Sequence, residues 1–261
     1  MLESTEAETT MPFFLRVTLS VIVIGYLALC AGLFFFQRSL IYYPQPKSPD
    51  DNTTTITLPP QVLVSVRPKE TPRALIYFGG NAEDVSYNMP SFSETFPDTA
   101  LYLMHYRGYG GSSGKPTEKA LFADALALFD QVHTQHPEVT VIGRSLGTGV
   151  AAYLASQRPV SRLVLVTPFD SLQEIAASQY PYVPVRWLLQ DKFESWRYAP
   201  NITAPTVIIA AQNDKVIPHT STEQLFTRFK KGVATFHQIA NVVHNNIADS
   251  PDYLPLLRPS P

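Results

Sequence analysis

A serine between two glycines, a later aspartate and a later histidine are the residues of this chain best suited to nucleophilic catalysis. Ser145 lies in the pentapeptide GRSLG. A serine hydroxyl is a weak nucleophile at neutral pH, so it needs a base to take its proton and an acid to orient that base. Asp214 and His244 come later in the chain, and we expect them to fill these two roles.

The residues around Ser145 predict a sharp turn between a strand and a helix. The run VTVIG reads as a strand and GTGVAAYL as a helix, so a G-x-S-x-G motif occupies the turn between them. Such a turn strains the serine backbone, and side chains two residues to either side would collide with the strand and the helix. Gly143 and Gly147 remove those side chains. The helix that follows Ser145 directs its positive end toward a developing oxyanion.

The acid and the base are expected in loops that follow later strands. Asp214 stands in QNDKVIP, directly after the apolar run PTVIIAA. Sheets of α/β proteins place their active sites beyond the carboxyl ends of the strands. His237 lies within the next predicted strand, which favours a structural role, whereas His244 follows that strand in a polar loop. His244 is therefore the predicted base.

The turn FGGNAED predicts the second half of an oxyanion hole. It follows the apolar run ALIYF, and Gly79 and Gly80 allow the backbone to turn tightly beside a substrate. We expect the backbone N–H of Asn81, together with that of Leu146, to bind the oxyanion. An ordinary turn between a strand and a helix is the alternative.

Apolar runs alternate with helical patterns after residue 60, which predicts an α/β fold with a mostly parallel, doubly wound sheet. The runs are short, rich in β-branched residues and almost continuous, as is typical of strands that are buried on both faces. Between two of them, one helical stripe carries Leu121, Ala125, Leu128 and Val132. The predicted strands are 74–78, 100–106, 139–143, 162–168 and 205–211.

The segment 169–200 interrupts this alternation. Its prolines predict short helices above the sheet edge, too short to form a large lid, so the site is expected to be fairly open. The aromatic residues of QYPYVPVRWLL are equally compatible with an acyl pocket and with core or surface packing.

Residues 17–36 form a twenty-residue stretch without a charge and predict one transmembrane helix. At about 1.5 Å per residue, a helix of this length spans the ~30 Å hydrocarbon core of a bilayer. We therefore expect a polar tail over 1–16, an anchor over 17–38, a linker and first strand over 39–60, and one α/β domain over 61–261.

A cleaved signal peptide and a lipidated Cys30 are the alternatives to a retained anchor. The apolar run is long for a signal peptide and its N-terminal flank is acidic, and Leu29 is bulky for a lipidation motif. Tyr42 and Tyr43 follow the run and are predicted to lie at the membrane interface. Basic residues flank both ends almost equally, so the sequence leaves the side of the membrane undetermined.

Four sequence blocks resemble the α/β-hydrolase superfamily, and specifically its membrane-anchored Bem46-like group, which includes protein depalmitoylases. The blocks are GGNAED, YRGYGGSSGKPTE, GRSLGTGVA, and QNDKVIP with VVHNNI, in the expected order. The resemblance covers almost the whole chain after the anchor. It implies catalytic roles for Ser145, Asp214 and His244, an oxyanion role for the turn at Asn81, and no cofactor or metal. This chain has Gly79 where most relatives have a histidine, and it lacks the cysteine cluster of the mammalian depalmitoylases.

Composition and competing motifs exclude several other classes. With 20 Lys and Arg against 22 Asp and Glu, the chain has no electrostatic footprint for nucleic acid. YGGSSGKP departs from a phosphate loop, because Tyr109 stands at the first glycine position and Pro116 where Ser or Thr belongs. GYGGSS also lacks the third small residue of a dinucleotide motif. His133 and His136 have neither an HExxH pattern nor nearby cysteines, so no zinc site is predicted.

The sequence thus predicts a membrane-anchored serine hydrolase that cleaves carboxylic ester or thioester bonds of acyl substrates through an acyl-enzyme. The anchor favours acyl lipids or acylated proteins by local concentration. A serine peptidase of the same fold and a non-catalytic scaffold protein of that fold are the alternatives. The natural substrate, its chain length and the oligomeric state stay open at this point.

Overall fold

The computed structural model describes residues 12–48 and 53–258. Its first element, α1 (Phe13–Ile41), is a helix of 29 residues that is long and apolar enough to cross a membrane. The helix begins before the predicted anchor and ends after it. The first eleven residues of the polar tail predicted over 1–16 lie outside the described residues.

Eight strands form one sheet, which confirms the predicted α/β class. The strand order is β1-β2-β4-β3-β5-β6-β7-β8, with antiparallel pairing of β2 to β1 and β4, and parallel pairing from β4 onward. The near-continuous apolar runs are buried on both faces, as such strands require. The strands are β1 Thr54–Leu58, β2 Val62–Arg67, β3 Arg73–Phe78, β4 Ala100–Met104, β5 Glu138–Arg144, β6 Arg162–Val166, β7 Thr206–Ala211 and β8 Ala234–Ile239.

Helices cover both faces of this sheet. After α1, they are α2 Met89–Thr95, α3 Glu118–His133, α4 Leu146–Gln157, α5 Leu172–Gln179, α6 Val185–Leu188, α7 Ser195–Tyr198, α8 His219–Arg228 and α9 Tyr253–Leu257. One hydrophobic core lies under α3, α4 and α8, and a second lies under α2 and α9. The stripe predicted for α3 is buried in the first core. Its N-terminus is capped by Thr117, whose hydroxyl accepts a hydrogen bond from the N–H of Ala120 at 3.1 Å.

The parallel strands bring their carboxyl ends to a single edge of the sheet. The loops after β3, β5, β7 and β8 carry the residues that the sequence singled out for chemistry. The segment 169–200 follows β6 and forms the short helices α5, α6 and α7, as its prolines predict. Long-range strand pairing therefore collects residues that are far apart in the chain.

Candidate active site

Ser145 occupies the turn between β5 and α4 with φ of 49° and ψ of −117°. A positive φ is unusual for a residue with a side chain, and this strained backbone is the expected feature of a nucleophile turn. A Cβ on Gly143 would lie 2.4 Å from the Gly147 oxygen, and one on Gly147 would lie 2.1 Å from the Phe78 oxygen. Because both obstacles are backbone atoms, the two positions require glycine.

The structure brings Ser145, His244 and Asp214 into one hydrogen-bonded line. Nε2 of His244 lies 2.9 Å from the Ser145 Oγ, and Nδ1 of His244 lies 2.8 Å from an Asp214 carboxylate oxygen. An ionised carboxylate only accepts hydrogen bonds, so Nδ1 carries the proton and donates it. Nε2 is then free to accept the serine proton, which is the arrangement that a base needs.

The carboxylate of Asp214 is held in place by the backbone of its own loop. Its second oxygen accepts hydrogen bonds from the N–H groups of Val216 and Ile217, both at 2.8 Å. The side chains of His244 and Asp214 are only 8% and 7% exposed. The low exposure strengthens the interaction between imidazole and carboxylate, since water screens it poorly.

Two backbone N–H groups are available beside Ser145 for an oxyanion. Leu146 is the first residue of α4, so its N–H belongs to the unpaired donors at a helix start. Among the described residues, neither this N–H nor that of Asn81 has a hydrogen-bond partner. The neighbouring N–H of Gly80 is already used, because it donates to Glu83 at 2.7 Å. The geometry thus leaves free the two donors that the sequence predicts.

Glu83 organises the turn after β3, and sequence reasoning did not identify it. Besides the Gly80 N–H, its carboxylate accepts hydrogen bonds from the Tyr77 hydroxyl and the Asn88 side chain, each at 2.7 Å. Burial raises the pKa of Tyr77 well above its ordinary value, and the Glu83 carboxylate adds to this, so the hydroxyl remains a donor. The available signal was the position of Glu83, three residues after Gly80 in GGNAED.

Arg144 links that turn to the loop of the predicted base. Its guanidinium pairs with Glu83 at 3.2 Å and donates to the backbone oxygen of Asn245, also at 3.2 Å. Asn245 directly follows His244 in the chain. Burial lowers the pKa of Arg144, but the Glu83 carboxylate together with Tyr77 and Tyr253 outweighs this and raises it overall, so the ion pair stays charged. One partly buried ion pair therefore connects three loops of the site.

A mostly apolar cavity of about 310 Å³ begins at Ser145 and Leu146. The C-terminal end of α1 forms one wall, and the segment 169–200 forms the other. Besides the short helices of this segment, α1 therefore covers part of the cavity, which the sequence did not predict. The segment contributes, among others, Leu172, Ile175, Tyr180, Val183, Leu188 and Leu189.

The aromatic residues of the segment divide between the two predicted roles. Tyr180 lines the cavity, whereas Tyr182 and Trp187 are 89% and 88% exposed. Neither exposed ring belongs to the core of the domain.

The other histidines that were considered from the sequence as a base or as metal ligands do not line this cavity. His237 is exposed on β8, outside the hydrogen-bonded line. The ring of His136 is buried and contacts the Thr71 oxygen at 2.6 Å and the Tyr102 hydroxyl at 3.0 Å. His133 stacks on Phe129. These contacts give His133 and His136 packing roles.

Residues 74–193 match the family model described as the alpha/beta hydrolase fold, which confirms the resemblance seen in the sequence. An uncharacterized Mycobacterium tuberculosis protein is 42% identical over 130 residues, which cover 48% of this chain and 46% of that protein. The lysophosphatidylserine lipase ABHD12 of Macaca fascicularis is 31% identical over 182 residues, covering 59% of this chain and 46% of the lipase. The chain thus spans about half the length of these two curated relatives.

A third relative matches over a larger share of both chains. Protein bem46 of Schizosaccharomyces pombe is 22% identical over 250 residues, which cover 82% of each chain. Similarity to this protein is what the four sequence blocks predict.

Solved structures confirm the fold. The monoacylglycerol lipase of Paleococcus ferrophilus superposes with a TM-score of 0.57 at 16% identity, covering 75% of this chain and 94% of that one. The Pyrococcus furiosus esterase Pf2001 superposes with a TM-score of 0.60 at 18% identity, covering 81% and 92%. The chain therefore has the α/β-hydrolase fold with one N-terminal apolar helix.

Proposed function

We propose that this α/β-hydrolase-fold chain is a membrane-anchored serine hydrolase that cleaves carboxylic ester or thioester bonds of acyl substrates. The observation that chiefly supports this proposal is the hydrogen-bonded line from Ser145 through His244 to Asp214 at the end of an apolar cavity. A nucleophile, a base and an orienting acid in this geometry are the parts that acyl transfer requires.

The proposed reaction has two acyl-transfer steps. The Ser145 oxygen attacks the substrate carbonyl while Nε2 of His244 takes the hydroxyl proton. The oxygen that becomes negative is stabilised by the N–H groups of Asn81 and Leu146. Asp214 holds the imidazole in the correct tautomer and stabilises the imidazolium. His244 then protonates the departing alcohol or thiol, and the serine keeps the acyl group.

Water completes the cycle. His244 takes a proton from a water molecule, which attacks the acyl-enzyme carbonyl and releases the carboxylic acid. The proton returns to the Ser145 oxygen, so the enzyme is regenerated without any cofactor. The apolar cavity beside Ser145 favours an acyl chain as the group that is transferred. Relatives named as a lysophosphatidylserine lipase and a monoacylglycerol lipase agree with acyl ester substrates.

Covalent labelling tests the catalytic part of this proposal. The full-length protein in detergent is treated with a fluorophosphonate probe, beside Ser145→Ala and the matched variant Ser156→Ala. Ser156 lies in α4, the helix that follows the nucleophile turn, and its hydroxyl bonds only to local backbone and to Gln157. We expect labelling of the unmodified protein and of Ser156→Ala, and none of Ser145→Ala. A folded protein that does not react would contradict the proposal.

Substrate class and anchoring need separate measurements. Turnover of acyl esters and thioesters is compared with that of peptide amides, and turnover of amides alone would favour a peptidase. For the anchor, membranes of expressing cells are washed with alkaline carbonate. We expect the chain to stay in the membrane pellet, because α1 is long and apolar enough to span the bilayer. Release into the supernatant would rule out a transmembrane anchor.

A further inference from the structure

One face of α1 packs against the α/β domain along the C-terminal half of the helix. Tyr26, Cys30, Leu33 and Gln37 recur at intervals of three and four residues, which places them on one stripe. Cys30 and Gln37 are buried, whereas Phe35, on the opposite side, is 76% exposed. The C-terminal half of α1 thus lies along the domain, and the N-terminal half extends away from it.

Gln37 ties this stripe to the segment 169–200. Its side-chain nitrogen donates to the Leu188 oxygen at 3.1 Å, and its side-chain oxygen accepts from the N–H of Gln190 at 2.7 Å. Burying a polar side chain of an apolar helix costs free energy unless the side chain is hydrogen-bonded. Gln37 therefore favours one position of α1 against the segment 169–200. Gln37 also lines the cavity that begins at Ser145.

A second connection lies one step further along the helix. The buried carboxylate of Asp191 accepts from the Arg38 guanidinium at 3.0 Å and from the Tyr42 hydroxyl at 3.1 Å. Burial raises the pKa of Tyr42, and the nearby Asp191 raises it further, so this hydroxyl remains a donor. The ring of Tyr42 is only 3% exposed and lies within the domain, so it is not the lipid-facing interface anchor that the sequence predicts.

The end of α1 also contacts the turn that carries the proposed oxyanion donor. The side-chain amide of Asn81 donates to the Ile41 oxygen at 3.0 Å, and the N–H of Tyr43 donates to the Asn81 oxygen at 3.0 Å. The last residue of α1 and Tyr43, two positions beyond it, therefore hold Asn81 beside Ser145.

The length of α1 places this contact region at the membrane surface. A helix of 29 residues is about 44 Å long, whereas the bilayer core is about 30 Å thick. If Phe13–Gly32 crosses the core, Leu33–Ile41 lies at the headgroup level. The hydroxyl of Tyr26, within the crossing part, donates to the Tyr182 oxygen at 2.8 Å. Tyr26 lies about 9 Å inside the end of that crossing part, so the segment 169–200 passes the headgroups near Tyr182; residues 180–187 are called the Tyr182 tip.

The exposed rings of this tip match such a position. Tyr182 and Trp187 are almost fully exposed in the absence of lipid. Tyrosine and tryptophan are the residues enriched at membrane interfaces, where one part of the ring is apolar and another is wet.

We propose that α1 is a wall of the acyl-binding pocket as well as the anchor, and that the acyl chain of a membrane-resident ester enters between α1 and the Tyr182 tip. This inference rests on the proposed hydrolase function. A pocket built this way takes its substrate directly from the bilayer and selects acyl-chain length partly through side chains of the transmembrane helix.

Two tryptophan substitutions in α1 test the wall. Leu33 lines the cavity, and Phe35 lies two positions away on the lipid-facing side. For the full-length protein, kcat/KM is measured with acetate, butyrate, octanoate and dodecanoate esters. We expect Leu33→Trp to lower the ratio of dodecanoate to acetate kcat/KM by about tenfold or more, because it fills the pocket. Phe35→Trp keeps the original ratio.

The outcomes separate this inference from the function on which it rests. Absence of fluorophosphonate labelling and of ester turnover in the unmodified protein would contradict the hydrolase proposal itself. If all three proteins label and Leu33→Trp has the same chain-length ratio as the unmodified protein, only the proposal that α1 is a wall of the acyl pocket is overturned. If Leu33→Trp does not label, the smaller Leu33→Phe replaces it, and an unchanged ratio there has the same meaning.

Tryptophan fluorescence tests the route from the bilayer. The chain has two tryptophans, and Trp196 lies apart from the tip, under the guanidinium groups of Arg197 and Arg228. The variants Trp196→Phe and Trp187→Phe each leave one of them. In vesicles of phosphatidylcholine brominated on its acyl chains, we expect quenching of Trp187 and unquenched emission from Trp196. Equal emission from Trp187 in brominated and unbrominated vesicles would overturn the proposed route.

Discussion

The two halves of the proposed site are built in different ways. The catalytic half, defined here by Ser145, His244, Asp214 and Glu83, stands on loops that directly follow strands of one sheet. The acyl half, defined by the C-terminal end of α1 and the segment 169–200, is joined by side-chain contacts between the end of α1 and the residues around the end of α6. Three of these contacts connect residues 149 to 153 positions apart in the chain.

This difference separates the rate of the reaction from its selectivity. Strand pairing and backbone hydrogen bonds hold the catalytic half in one geometry, as acyl transfer requires. A few hydrogen bonds hold the acyl half, and its apolar walls tolerate changes of side-chain size. We therefore expect substitutions in the first half to lower kcat and those in the second to change the preferred acyl chain.

Loss of the base has the largest expected effect. His244→Ala removes the group that accepts the serine proton, and we expect kcat for a short ester to fall by roughly 10⁴-fold to 10⁶-fold. His237→Ala is the matched control, because this histidine is exposed on β8 in the strand before that loop. Similar losses in the two variants would mean that His244 acts through folding, and circular dichroism of both proteins checks that.

The ion pair beneath the oxyanion turn comes next. Glu83→Gln replaces a carboxylate that accepts four hydrogen bonds, from Tyr77, Gly80, Asn88 and Arg144. We expect kcat to fall by about 100-fold while KM for a short ester changes little, because the turn no longer aligns its N–H group in the transition state. Steady-state kinetics separates the two constants. An increase in KM with an unchanged kcat would assign Glu83 to substrate binding instead.

The thermal stability of Glu83→Gln provides a second test of the role of Glu83 in holding the turn. Glu83→Gln removes the charge of a partly buried ion pair and weakens its hydrogen bonds, which costs on the order of 2 kcal/mol, so the melting temperature should fall. Glu94 is the control for glutamate loss on the same side of the sheet, since it lies in α2 outside this network. Glu94→Gln should retain both kcat and the melting temperature.

A change in the acyl half has a smaller expected effect and a different readout. Gln37→Leu removes the hydrogen bonds to Leu188 and Gln190, each of which contributes about 1 kcal/mol. We expect kcat/KM for dodecanoate esters to fall several-fold more than that for acetate esters, because the wall of the pocket loosens. An equal decrease for both esters would contradict the separation of the two halves.

The smallest expected effect is a change in the pH dependence of stability. Glu118 accepts hydrogen bonds from the N–H groups of Lys192 and Phe193, and so holds the end of the segment 169–200 to α3. Burial raises the pKa of Glu118 above its ordinary value. The folded state therefore binds this proton more tightly than the unfolded state, and stability from this group is lost as pH rises through the raised pKa.

Melting curves at several pH values test this sign. Glu118→Gln stays neutral, so its melting temperature should decline less than that of the unmodified protein as pH rises from the ordinary glutamate pKa. Glu174 provides the opposite case, because the hydrogen bond from Arg186 lowers its pKa. That pair is exposed, so Glu174→Gln should change the profile little, and at acidic pH only. A steeper decline in Glu118→Gln would contradict the assignment.

The sequence predicted the parts of the site that depend on local sterics. GRSLG predicts a strained turn because side chains at positions 143 and 147 would strike backbone atoms. In the structure, a Cβ added at either glycine does collide with backbone atoms. Asp214 and His244 were predicted because polar loops after buried strands meet at one edge of a parallel sheet. Their catalytic roles stay predictions, although the three side chains do lie in hydrogen-bond contact.

Glu83 and Gln37 show where sequence reasoning stopped. The donors to Glu83 come from a strand, a turn, a helix cap and the nucleophile turn, and no local spacing reveals that they converge. In the sequence, Gln37 is only the polar residue that directly follows the apolar run 17–36. Its partners lie about 150 residues later, in a segment whose own pattern predicts only short helices.

By itself, the sequence determined the α/β class, the strained turn at Ser145 and the apolar span before the domain, since backbone sterics and hydrophobic periodicity act over a few neighbouring residues. Only the tertiary structure decided that the end of this span lies against the site and closes one side of the pocket. That arrangement depends on hydrogen bonds between residues far apart in the chain, which form only after the sheet has brought their elements together.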